Sequence, residues 1–238
     1  METGKKGMKN LLLICIVWKN EIQLCFRGDL MKRYVIFDID GTLNWTDLYA
    51  VEAYQKALAK RKRNIGREEI ISCIGLSPSA IVNRLFGSLE NDELETWRRD
   101  IREYESILMK DRARPFDGVE QTLAALKQAG YGLAICSNAF AGHIESVLTA
   151  IGLCQYFDTI GSLDLGADKI EVIRKLSHHT GWDKACMVGD RIFDIQAARA
   201  NGIPFIGCEY GYAPEEIQDA DVVVREAAEI YGAVETLI

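Results

Sequence analysis

From Arg33 to the end of the chain, short apolar runs alternate with longer stretches in which apolar positions recur every three or four residues. The short runs predict strands at Tyr34 to Asp38, Tyr131 to Cys136, Ala185 to Val188, Pro204 to Gly207 and Asp221 to Val224. Strands spaced by helix-length segments predict an α/β domain on a parallel sheet, because a parallel neighbour can be reached only by a crossover. The first three runs each meet a polar residue at their C-terminal end: Asp38, Ser137 and Asp190. That edge of an open parallel sheet is where ligands bind, so residues distant in sequence converge there.

Between Asn44 and Pro115 the pattern holds no strand, only helical periodicity at Asp47 to Arg61, Glu68 to Ile74, Ser77 to Phe86 and Asn91 to Lys110. A structureless connection of that length is improbable, so residues 45–114 are read as an inserted all-helical cap. The core then comprises 31–44 and 115–238, a Rossmann-like sheet, with "RPFDGV" marking the return to it. Residues 1–30 read as an N-terminal extension. Their apolar run, Leu11 to Trp18, is eight residues, whereas a spanning helix needs about 20. Neither a membrane anchor nor a secretion signal is expected there.

Composition narrows the function classes. The chain has 238 residues, 48% of them hydrophobic, with a formal net charge of −7, which suits a soluble globular protein. Acids and bases are interspersed, leaving no basic field for a polymeric nucleic acid. The seven cysteines are scattered, odd in number and never in a C-x-x-C pair. Reduced thiols of a cytoplasmic protein fit that usage, and a disulfide framework does not.

Candidate chemistry begins at "DIDGT", Asp38 to Thr42. Asp38 and Asp40 occupy alternate positions of an extended chain, which puts two carboxylates in one small volume. Two such charges need a cation or a shared proton to coexist. Asp190 and Asp194 in "GDRIFD" add hard oxygen ligands, a set that suits Mg²⁺ beside a phosphate better than a soft metal.

With Ser137 ending "LAICS" and Lys169 opening "DKIEVIRKL", these motifs stand in the order found in the haloacid dehalogenase-like hydrolases, which the chain resembles from Arg33 to Ile238. The resemblance implies a phosphatase in which Asp38 is the nucleophile and Asp40 the acid and base. It further implies that Ser137, Lys169 and the turn holding Thr42 bind the phosphoryl group, with Asn138 beside Ser137. Mg²⁺ would be held by Asp38, Asp190, Asp194 and the main-chain carbonyl of Asp40. Relatives that cleave carbon–halogen bonds lack an acid at the position of Asp40.

The layout is most similar to phosphoglycolate phosphatases, and the C-terminal half also resembles 5′-nucleotidases. A β-phosphoglucomutase-type reading expects a histidine where Ala50 stands and an arginine near Pro78, and both are absent. A non-catalytic binding protein on the same fold is the rival from another class. The expected partner is a small phosphate ester, and the expected state a monomer or homodimer.

Plainer readings stand beside these. The Asp38–Asp40 stretch also suits a turn. Ser137 also suits a helix cap, and Asp194 a first-turn acid facing the helix dipole. Lys169 also suits an ordinary surface lysine, with Lys175 nearby. "KRKR", Lys60 to Arg63, reads as the solvated end of a helix, His178 and His179 as exposed helix surface, Cys136 as core, and Trp45 as packing at the hinge.

Overall fold

The computed structural model describes residues 31–238; the N-terminal extension and its apolar run lie outside the described residues. Six parallel strands make one sheet: β1 (Arg33–Phe37), β2 (Gly132–Cys136), β3 (Thr159–Gly161), β4 (Lys184–Gly189), β5 (Phe205–Cys208) and β6 (Val222–Val224), in the order β3-β2-β1-β4-β5-β6. On one side of β1, Tyr34 to Phe37 pair with Gly132 to Ile135; on the other, Arg33 to Phe37 pair with Lys184 to Val188. Strand order reverses between β1 and β4, which opens a crevice beyond their C-terminal ends.

The period-2 geometry of β1 sends Val35 and Phe37 to one face and Ile36 to the other, all fully buried. Phe37 and Val35 join Leu123 and Leu126 of α5 (Val119–Gln128), Ile144 of α6 (Ala141–Ala150) and Val234 of α9 (Ile230–Leu237). Ile36 joins Val172 and Ile173 of α7 (Lys169–Thr180) and Ile195 of α8 (Ile192–Ala200). Helices thus cover both faces, which is why the strands read as continuous apolar runs. β3 has no counterpart among the sequence-predicted strands. It is three residues long, sits at the sheet edge and ends on Gly161, too little pattern to signal a strand.

The predicted insertion is all-helical: α1 (Asp47–Lys60), α2 (Arg67–Ile71), α3 (Pro78–Phe86) and α4 (Asn91–Arg112). It has an apolar cluster of its own, in which Val51 and Leu58 of α1 meet Ile70, Leu85 and Trp97. The Ser77 hydroxyl accepts from the Ala80 N–H at 3.3 Å, capping α3, and Pro78 occupies its first turn. "KRKR" is the largely solvated end of α1, with Lys60, Lys62 and Arg63 exposed, and it also makes a tertiary contact. Lys60 and Arg61 bind the buried Asp100 of α4 at 2.9 and 2.8 Å, clamping α1 to α4.

The chain leaves and re-enters the sheet side by side. The Trp45 N–H donates to the Arg114 carbonyl at 3.1 Å and the Phe116 N–H to that of Leu43 at 3.0 Å. Trp45 stacks on Phe116 with ring centroids 5.3 Å apart, a packing role as expected. No helix among the described residues is long and apolar enough to cross a membrane.

Candidate active site

Asp38 follows directly on β1, and its N–H donates to the Val188 carbonyl at 2.9 Å, continuing the ladder one residue past the strand. Asp190 follows Gly189, the last residue of β4, and Asp194 lies in the first turn of α8. One carboxylate oxygen from each falls within 4.8 Å of the others, and all three residues are buried. Gly189 makes this convergence possible, since a Cβ there would lie 2.3 Å from the Asp194 carboxyl. Gly41 does the same for Asp190: its φ is +83°, and a Cβ would lie 2.2 Å from Asp190 Oδ2.

Lys169 is brought into this cluster by the start of α7. The Asp168 carboxylate caps that helix by accepting from the Glu171 N–H at 2.9 Å, which turns the first helical side chain toward the sheet edge. Lys169 Nζ sits 2.8 Å from Asp38 Oδ1 and 2.6 Å from Asp194 Oδ1, with 3% of the side chain exposed. The surface-lysine reading does not hold. Lys175 is the exposed one, bonded to Glu171 and the Leu165 carbonyl.

One ammonium faces three buried carboxylates, and the electrostatics reflect the shortfall. Burial foremost pushes Asp38 up to about 7, against the pull of Lys169, with Asp194 and Asp40 adding repulsion. Asp190 is likewise held well above the usual carboxylate range by burial, then by Asp38 and Asp194. Burial would strip the Lys169 proton, but Asp194 and Asp38 more than reverse that and hold it charged. Asp38 Oδ2 and Asp190 Oδ1 are buried without a hydrogen-bond partner. The orphaned Asp190 oxygen, among three converging carboxylates, fits a divalent cation that Asp38, Asp190 and Asp194 would hold, while the orphaned Asp38 Oδ2 is left open to an incoming group.

The remaining predicted residues surround this cluster. Thr42 is fully buried, and its hydroxyl too has no partner, an open donor in the turn after Asp38. Ser137 is buried just past β2, its hydroxyl accepting from the Ala139 N–H at 3.3 Å. It is not the cap of α6, since Phe140 holds that position. Asn138 donates to the Gly75 carbonyl at 3.0 Å, reaching from the sheet edge to the helical insertion. The Asp40 carboxylate lies outside the three-acid cluster and accepts from the Thr46 hydroxyl at 2.6 Å. Asn44 Nδ2 donates to that hydroxyl at 2.8 Å, so a short chain of side chains fixes Asp40. His178 and His179 are exposed on α7, and Cys136 is core, as expected.

Several residues of the site gave no sequence signal. The Tyr212 N–H donates to Asp190 Oδ2 at 2.7 Å, and its hydroxyl bonds to Asp47 Oδ1 at 3.1 Å, joining the loop after β5 to α1. Arg191, beside Asp190, binds Glu216 and donates to the carbonyl of Ile74 in the insertion. Arg191 lies inside the quoted "GDRIFD", and only that place could have pointed to it; a tyrosine in a loop carries no such mark.

A cavity of about 470 Å³ opens beside Asp40 and Asn138 and runs under the insertion, lined by Tyr54, Ile81 and Trp97 among others. The site therefore places together an acid cluster, a buried lysine, open hydroxyl and carboxylate groups, and a separate acid in the wall of a cavity. That set can hold a cation, bind an oxyanion and deliver a proton.

The comparisons agree with this geometry. The family model described as haloacid dehalogenase-like hydrolase matches residues 35–208. The chain is 31% identical to a phosphoglycolate phosphatase from Agrobacterium fabrum, over 85% of this chain and 92% of that one. It is 30% identical to the "Probable phosphatase IndB" of Dickeya dadantii, over 87% of this chain and 96% of that one. Among solved structures, one described as a predicted phosphoglycolate phosphatase from Haemophilus somnus superposes with a TM-score of 0.78 at 24% identity, over 87% of this chain and 99% of that one, which speaks to fold alone. By its fold, its motif order and these matches, the chain belongs to the haloacid dehalogenase-like hydrolases.

Proposed function

We propose that the protein is a Mg²⁺-dependent phosphatase that hydrolyses a small phosphorylated metabolite through an aspartyl-phosphate. The observation that carries this reading is Asp38, a buried carboxylate with one oxygen held by Lys169 and the other without a partner. The free oxygen is the nucleophile. It forms a bond to phosphorus as the ester P–O bond breaks, and the leaving oxygen takes a proton from Asp40. Water then attacks the same phosphorus, Asp40 takes its proton, and the Asp38–phosphorus bond breaks to release phosphate.

The chain supplies positioning and charge for both steps. Lys169 stands where the phosphoryl oxygens would collect negative charge, the Thr42 and Ser137 hydroxyls and the Asn138 amide border the same edge, and Thr46 holds Asp40 in place. Asp38, Asp190, Asp194 and the Asp40 carbonyl would hold Mg²⁺, which when bound neutralises phosphate charge. Residues 45–114 act as a cap over the crevice, with Arg191 and Asn138 gripping the successive carbonyls of Ile74 and Gly75. Its closure over the substrate excludes water. The five described cysteines are free thiols, which suits a reducing cytoplasm.

Keeping Asp40 supports hydrolysis over dehalogenation. The relatives' names make phosphoglycolate the first ester to try. Phosphate release from a panel of esters, with and without Mg²⁺, tests the reading. Metal-dependent release that vanishes in Asp38→Asn is expected; no release from any ester would return attention to a binding protein on this fold.

A further inference from the structure

The cavity beside Asp40 changes character away from the acid cluster. Its walls are largely apolar and aromatic, among them Ala50, Tyr54, Ile70, Val82 and Trp97. Its volume of about 470 Å³ lies in the range that encloses organic ligands far larger than a small hydroxy acid.

One buried charged group is set into that wall. Glu105 of α4 lines the cavity with 7% of its surface exposed, and among the described residues its only partner is His143 Nδ1 at 3.7 Å, beyond hydrogen-bond reach. Burial foremost pushes its carboxyl upward, with His143 pulling against and Asp40 adding repulsion. Three basic residues also line the cavity, but Arg98 is 41% exposed and bonded to Glu95, Arg102 is exposed, and the part-exposed His143 faces Glu105 itself. Apart from Asp40, the buried charge offered to a ligand is therefore an acid, with no buried cation to receive a carboxylate.

Resting on the phosphatase reading, in which Asp40 protonates the leaving oxygen, the alcohol half of the ester must lie in the cavity that Asp40 lines. We propose that this alcohol has a bulky apolar or aromatic body bearing an N–H or O–H donor that Glu105 accepts, and that a carboxylate-bearing alcohol such as glycolate is selected against. Apolar walls take the body of the ligand. A largely buried carboxylate on the cavity wall favours a ligand that donates to it over one that brings a like charge.

The test is kcat/KM of the full chain with Mg²⁺ for three esters: 4-nitrophenyl phosphate, uridine 5′-monophosphate and phosphoglycolate. Turnover of 4-nitrophenyl phosphate, whose activated leaving group needs little help from an acid, reports on the phosphatase reading alone. The nucleotide is expected to exceed phosphoglycolate by about tenfold or more. Glu105→Gln, which removes the repelling charge at constant shape, and Val82→Phe, which narrows the half-buried wall, should each lower that ratio by about fivefold or more. If phosphoglycolate is preferred while 4-nitrophenyl phosphate is turned over, or if neither variant moves the ratio, the inference is overturned and the phosphatase reading stands. Loss of all turnover overturns both.

Discussion

The ammonium of Lys169 lies 2.8 Å from Asp38 Oδ1, and both side chains are almost wholly removed from solvent. The pair is not isolated, because Asp194 takes the same ammonium at 2.6 Å and Asp190 adds a third carboxylate nearby. The chain accepts this concentration of buried charge at the end of its central strand, where replacing it by apolar packing would commonly be more stable. Retaining it is the mark of a site rather than of a core.

Removing the lysine should therefore be costly. Lys169→Met leaves three buried carboxylates with no described cation between them, and is expected to lower the stability of the metal-free protein by about 3–5 kcal/mol. Urea denaturation in chelator measures it. A loss below about 1 kcal/mol would mean that the acids are far better hydrated than their burial implies.

Stability should also fall with rising pH when metal is withheld. Asp38, pushed up to about 7, and Asp190, also raised, keep their protons in the folded chain over a range where unfolded aspartates have already lost theirs near 4. Between those limits the folded state binds more protons than the unfolded, so each pH step upward favours unfolding. The lowered acids Asp100 and Asp221 titrate below that window and act in the opposite sense there. In chelator the thermal midpoint is expected to drop from pH 5 toward pH 7, and added Mg²⁺ to recover more of it the higher the pH. A midpoint that climbs across this range without metal would contradict the placement of the acids.

Gly41 sets the geometry of the turn. A side chain there meets a left-handed backbone and the Asp190 carboxylate together, so Gly41→Ala should cost about 1–3 kcal/mol and weaken the Mg²⁺-induced rise in melting temperature. Melting curves with and without the metal read both effects. An unchanged metal response would show that Asp190 does not need its present position.

Arg191 ties the strand end that carries Asp190 to the Ile74 carbonyl of the helical insertion, and to Glu216 through Nε at 3.0 Å. Arg191→Ala should loosen the insertion over the crevice, lowering kcat/KM by about tenfold and speeding proteolysis between α2 and α3. Wild-type kinetics together with wild-type proteolysis would remove the arginine from any role in cap closure.

Much of this was legible from the chain. The strand pattern, the helical character of residues 45–114 and the convergence of Asp38, Asp190 and Asp194 all follow from apolar periodicity and from acids placed just past buried strands. Lys169 was ambiguous because a lysine at a helix start reads the same whether buried or exposed; Asp168 capping the helix is what turns it inward. β3 was hidden by its shortness, and the pairing of Lys60 and Arg61 with Asp100 by a separation of about forty residues that only folding closes. Glu105 and His143 meet across the insertion and the core, a contact that no local pattern encodes.

The central claim is that Asp38 carries the phosphoryl group and Asp40 manages the protons. It is tested most directly by mixing Asp40→Asn enzyme with radiolabelled acetyl phosphate and Mg²⁺, quenching in acid and mapping the label. Acetate leaves without an acid, whereas the water step lacks its base, so the phosphoenzyme should accumulate. The account predicts one hydroxylamine-labile phosphoryl group on the peptide containing Asp38, and none when Asp38→Asn is added. Label on another residue, or phosphate release that survives Asp38→Asn, would contradict it.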